Sequence, residues 1–82
     1  MRIVFSTHAW DDSLYWQRTD RKTLSRINDL IKATQRAPFE GLGKPEPLRH
    51  ALSGFWSRRI SYEHRMVYRI ESDMLVIAQL RY

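Results

Sequence analysis

The chain has 82 residues, which sets it at one domain with a single modest core, and residues 1–82 are taken as one unit. It is 43% apolar, with three Trp, four Tyr and three Phe to enlarge that core, and its lack of Cys excludes disulfides and thiolate metal sites, in keeping with a reducing cytoplasm. Lys and Arg outnumber Asp and Glu by 14 to 9, and eleven of the fourteen are Arg, whose planar fork pairs with phosphate; the charge of +5 therefore points to nucleic acid, an acidic protein or an anionic surface without choosing among them. No segment approaches the roughly 20 apolar residues of a membrane span, and the apolar run after Met1 is too short for a signal peptide, so a cytoplasmic protein without a membrane partner is expected.

Arg2 to Phe5 is β-branched and aromatic and predicts a short strand. Ser6 or Thr7 then offers an N-cap to a helix containing Trp10, Leu14 and Gln17, with Asp11 and Asp12 in early turns that suit the helix dipole. Thr19-Asp20 interrupts it, and Asp20 caps a second helix in which Leu24, Ile27, Leu30, Ile31 and Thr34 form an apolar stripe at three- and four-residue spacing. Arg21, Lys22, Arg26, Lys32 and Arg36 occupy its other face, and Ala37-Pro38 ends it because a residue before proline is pushed out of the helical region. Residues 38–47 hold all three prolines and two of the three glycines and predict an ordered loop. Strands are predicted over Phe55 to Tyr62, Arg65 to Glu71 and Met74 to Leu80, with turns at Glu63-His64 and Ser72-Asp73. The expected fold is α+β: two N-terminal helices packed on one face of an antiparallel sheet whose other face is open.

Alternation along the strands gives Trp56, Ile60, Tyr62, Met66, Tyr68 and Ile70 the core parity and turns Arg59 and Arg65 to the open face of neighbouring strands. Arg58 shares the core parity and is expected to snorkel at an edge. The Pro-rich loop brings Lys44, Glu46 and Arg49 to where the strands begin. A carboxylate among arginines suits RNA cleavage without a metal: it takes the proton of a 2′-hydroxyl while the arginines hold the adjacent phosphate and its growing charge. An ordinary exposed loop acid and a solvated basic sheet face explain the same residues. His8, His50 and His64 lack metal-ligand spacing, and Trp10, Trp16 and Trp56 read as core residues, so neither metal nor cofactor is expected.

Several phrases resemble the YoeB toxins, a branch of the RelE/ParE superfamily: Trp10-Asp11-Asp12 with Tyr15-Trp16; Pro38-Phe39-Glu40-Gly41 running into Gly43-Lys44-Pro45-Glu46-Pro47-Leu48; Leu52-Ser53-Gly54-Phe55-Trp56-Ser57-Arg58-Arg59-Ile60; Glu63-His64-Arg65; Val67-Tyr68; and Arg81-Tyr82. The resemblance runs through the chain without a gap, and residues 38–60 carry its most specific part. It implies a microbial RNase fold, cleavage of mRNA in the A site of the 70S ribosome, an acidic YefM-like antitoxin and a homodimer. By position it implies Glu46 as general base, Arg65 as phosphate-stabilising arginine and Arg59 as a second basic catalytic residue. Lys44, Arg49, Arg58, Glu63, Arg81 and Tyr82 are the surrounding RNA-binding candidates. Residue 49 is Arg where the family often has Lys, which keeps the charge and changes the donor geometry.

The family typically closes on Arg-Tyr-His-Tyr, whereas residues 81–82 are Arg-Tyr, so Tyr82 matches the tyrosine before the family's general-acid His. A tail beyond Tyr82, a deliberate truncation and a natural shortening each account for this; the first is the expectation, since termini are often disordered. With a real shortening, fast cleavage is not expected. Two other functions stay open: a ParE-like protein binder acting on gyrase, which needs no general base, and a basic ribosome-binding domain without chemistry.

Overall fold

A computed structural model describes residues 1–82. The elements in chain order are β1 (Arg2–Phe5), α1 (Thr7–Thr19), α2 (Arg21–Arg36), β2 (Glu46–Pro47), β3 (Trp56–Arg59), β4 (Arg65–Glu71) and β5 (Met74–Gln79), with a short 3-10 turn at His50–Leu52. Both helix starts follow from local chemistry. Ser6 Oγ accepts the Ala9 N–H at 3.0 Å and donates to the Ala78 carbonyl at 2.9 Å, so one hydroxyl caps α1 and ties it to β5. Asp20 accepts from the Thr23 N–H at 3.1 Å and the Thr23 hydroxyl at 2.7 Å; these bonds, the hydroxyl's first, hold its carboxyl below the usual carboxylate range.

The apolar stripe of α2 buries Ile27, Leu30, Ile31 and Thr34 against the sheet, where Met66, Tyr68, Leu75 and Ile77 complete the core. Strand order is β1-β5-β4-β3-β2, and β2 to β5 are antiparallel throughout. The two-helix α+β architecture is as expected, with one addition: β1 lies parallel to β5, Arg2 opposite Met74 and Phe5 opposite Ile77, so the sheet is mixed. A parallel partner needs a long crossover, and the two helices with the rest of the sheet supply it.

Several expected details change. The strand predicted over Phe55 to Tyr62 ends at Arg59, so Tyr62 stands in the following turn, fully exposed and outside the core. Trp10 is half-exposed, its ring edge-on to Phe5 at 5.9 Å, while Trp16 is buried. Asp12 is buried and accepts the Leu80 N–H at 2.9 Å, and Trp16 Nε1 donates to the Leu80 carbonyl at 2.9 Å. Both backbone polar groups of Leu80 are thus met by side chains of α1, a better use of a carboxylate than the helix dipole. No helix is long and apolar enough to cross a membrane.

Candidate functional site

The sheet register brings the expected residues to one face. Glu46 lies opposite Ser57, Ser57 opposite Val67, and Arg59 directly opposite Arg65. Paired residues share a face and neighbouring strands stand about 5 Å apart, so Glu46 and the two arginines are two residues, roughly 7 Å, apart along the strands. All three side chains turn away from the helices, because Arg58 and Met66, between them in register, point into the core. Arg59, Tyr62 and Arg65 line a cleft of about 350 Å³ on this face. The ion pairs of the protein are Met1–Asp73 and Arg69–Glu71, and His8 Nε2 stands 3.4 Å from Asp12, so no acid neutralises Lys44, Arg49, Arg59 or Arg65. An unpaired cluster of guanidiniums beside a solvent-exposed carboxylate has capacity for a phosphodiester and for a proton transfer next to it.

The loop before Glu46 is fixed from below. Arg58, expected to snorkel and to touch RNA, is instead fully buried, and its guanidinium is consumed by the protein itself. Nη1 donates to the Leu42 carbonyl at 2.9 Å, Nη2 to the carbonyls of Ala37 at 2.5 Å and Glu40 at 3.0 Å, and Nε to the Tyr68 hydroxyl at 3.2 Å. Tyr68 in turn donates to the Pro38 carbonyl at 2.7 Å. Core parity won over charge here because the loop supplies enough carbonyl oxygens to replace water around the cation. Burial pushes the Tyr68 hydroxyl above its usual pKa, and the hydrogen bond and charge of Arg58 partly oppose that.

Gly43 closes the loop onto β3. Its carbonyl accepts the Arg59 N–H at 2.8 Å, its φ is +84°, and a Cβ there would stand 2.7 Å from Leu30 Cδ2. Only glycine fits that approach. Lys44 follows with φ 52°, a left-handed conformation that costs a side-chain-bearing residue on the order of 1–3 kcal/mol and persists because its surroundings are fixed. The loop therefore enters β2 with little freedom, and Glu46 takes its register from it.

The remaining candidates sit around this centre. Arg49 is exposed beyond β2 and makes no side-chain hydrogen bond, and Glu63 is exposed in the turn between β3 and β4. Arg81 lies over the Tyr15 ring with its guanidinium carbon 3.6 Å from the centroid, a cation–π contact with α1. The Tyr82 N–H donates to His64 Nδ1 at 2.8 Å, and the His64 ring stands edge-on to both Trp16 and Tyr82. His64 precedes Arg65, so residues 81–82 are held at the end of the basic face. Spacing gave His64, Tyr62 and Asp12 no part in this arrangement, since each depends on a turn or a contact between distant segments. No group of three or more His, Cys, Asp or Glu side chains is placed to share a metal ion.

Residues 5–82 match the family described as the YoeB-like toxin of bacterial type II toxin–antitoxin systems. The chain is 60% identical over 82 residues to the toxin YoeB of Escherichia coli K12, covering all of this chain and 98% of that one. It is similar in structure to a YoeB/ParE toxin from Agrobacterium tumefaciens, with a TM-score of 0.98 at 49% identity and coverage of 100% and 98% of the two chains. The Staphylococcus aureus YoeB, solved in complex with YefM and as a dimer, matches with a TM-score of 0.94 in both cases, at 41% and 42% identity, over all of this chain and 95% of that one.

Proposed function

Because the chain belongs to the YoeB-like toxin family of bacterial type II toxin–antitoxin systems, we propose that it is an endoribonuclease that cleaves mRNA in the ribosomal A site and so halts translation in the cytoplasm. The observation that carries this reading is the register of Glu46, Arg59 and Arg65 on one open face where the arginines have no acidic partner. Glu46 takes the proton of a ribose 2′-hydroxyl, and the resulting oxygen attacks the adjacent phosphorus. Arg59 and Arg65 hold the non-bridging oxygens and stabilise the charge that builds on them. The bond to the 5′-oxygen breaks, leaving a 2′,3′-cyclic phosphate and, once protonated, a 5′-hydroxyl. The family's pattern takes that last proton from the residue after the tyrosine matched by Tyr82, whose backbone N–H bonds to His64 beside Arg65.

Tyr62 offers a free aromatic face at the rim of the arginine cleft, suited to stacking on a base next to the cleaved phosphate. Lys44 and Arg49 extend the phosphate track; Arg58 has no place in it. The same cationic face fits an acidic antitoxin segment that orders on binding, in line with the S. aureus complex, and a homodimer is in line with the S. aureus dimer.

The test is Glu46→Gln, measured as cleavage of mRNA on translating ribosomes. General-base catalysis contributes roughly 10²–10⁴ in rate, so the variant is expected to bind ribosomes normally and to cleave at least about a hundredfold more slowly. Unimpaired cleavage by this variant overturns the assignment.

A further inference from the structure

Ser57 is the one buried residue of the active face whose side-chain polar atom has no hydrogen-bond partner. It is 1% exposed, and its Oγ is the only buried side-chain polar atom in the protein without a hydrogen-bond partner. Burying a hydroxyl unpaired costs on the order of 1–3 kcal/mol. An unpaired buried hydroxyl is rare enough in a native sheet to call for an explanation.

Its neighbours define that use. Across the strands Ser57 faces Glu46 on one side and Val67 on the other; along its own strand the same-face neighbours are Phe55 and Arg59. Val67 and Phe55 have no polar side-chain atom, and the Arg59 guanidinium only donates. The Glu46 carboxylate is the one acceptor side chain adjoining the hydroxyl, and directly paired residues place their Cβ atoms about 5 Å apart. The Glu46 side chain is exposed and makes no hydrogen bond.

We infer that Ser57 is a positioning residue for the general base: when RNA phosphate occupies Arg59 and Arg65, the Glu46 carboxylate swings down onto the face and accepts the Ser57 O–H through one oxygen while the other takes the 2′-hydroxyl proton. The hydroxyl's missing bond is then made only in the loaded state. The bond fixes the orientation of the carboxylate against the 2′-hydroxyl, so its effect is read in kcat, while the contacts that hold RNA, and with them KM, stay as they are. This inference rests on the reading of Glu46 as the base.

The experiment compares Ser57→Ala, Ser57→Thr and Glu46→Gln in the full-length protein, by single-turnover cleavage on ribosomes, ribosome affinity and thermal unfolding. Ser57→Ala is expected to lower kcat about tenfold, the lower end for a hydrogen bond to a charged group. KM and ribosome affinity hold, and the melting temperature holds or rises because an unpaired buried hydroxyl is gone. Ser57→Thr keeps the hydroxyl and retains most of kcat. An unchanged kcat in Ser57→Ala, or a loss of kcat matched by losses of affinity and melting temperature, overturns the inference. If Glu46→Gln is inactive while Ser57→Ala is fully active, the positioning role alone fails; if Glu46→Gln is active, the base assignment fails with it.

Discussion

Replacing Tyr68 by Phe removes one oxygen atom from the clamp beneath the loop that leads into Glu46 and leaves the ring in place. Two groups lose a partner: the Pro38 carbonyl, bonded at 2.7 Å, and the Arg58 Nε–H, bonded at 3.2 Å. The carbonyl, in a part-buried bond, costs about 1 kcal/mol, and the N–H, belonging to a fully buried cation, about 1–3 kcal/mol, for a total of roughly 2–4 kcal/mol. An 82-residue domain has about 4–12 kcal/mol of stability in all. The change thus removes a large part of the margin, and at about 4–8 °C per kcal/mol the midpoint drops by roughly 8–32 °C. Chemical unfolding measures the loss, and amide exchange locates it: the Arg59 N–H, bonded to the Gly43 carbonyl, and the Ala37 N–H, bonded to the Ala33 carbonyl, lose protection before the β4–β5 pair does. Alkaline titration gives an independent arm. The folded hydroxyl ionises above the unfolded value of about 10, so the folded state retains a proton that the unfolded chain gives up, and stability falls as pH rises from there toward the folded value. Tyr68→Phe lacks that part of the slope. A loss below about 1 kcal/mol, with an alkaline slope equal to that of the parent, refutes the clamp.

Asp12→Ala strips the acceptor from the Leu80 N–H and is expected to cost about 2–3 kcal/mol, the scale of a buried bond to a charged group, with exchange quickening first at Leu80; unaltered exchange there contradicts the tether. RNA and ribosome affinity are expected to fall steeply with salt, and Arg65→Glu to weaken both cleavage and the binding of an acidic antitoxin segment. An antitoxin whose affinity ignores that reversal binds elsewhere, the basic face of α2 being the first place to look.

What the sequence disclosed was local. The cap at Asp20, the stripe from Leu24 to Thr34 and the stop at Ala37-Pro38 are each written within a few residues, and all three stand in the structure. Parity placed Arg59 and Arg65 together because the period of a strand survives errors in its ends. The same parity also placed Arg58 in the core, and the expectation that a charge stays wet then moved it to an edge; four carbonyl and hydroxyl partners from residues 37–42 and 68 were invisible from composition. The partner of β1 could not be read either, since a short β-branched and aromatic run announces a strand and says nothing of what lies beside it. Asp12 and Ser57 look like unremarkable polar residues until the register and the distant Leu80 are known.

The pairing of β1 with β5 has a kinetic meaning. Arg2 lies beside Met74, Ser6 bonds to Ala78 and Asp12 to Leu80, so β1 and α1 find these partners only in β5 and the residue after it. Such closure imposes a high contact order and slow final folding. Until β5 docks, the sheet lacks the strand that joins β1 to β4. A partner that reaches the chain before that step meets it without its finished face.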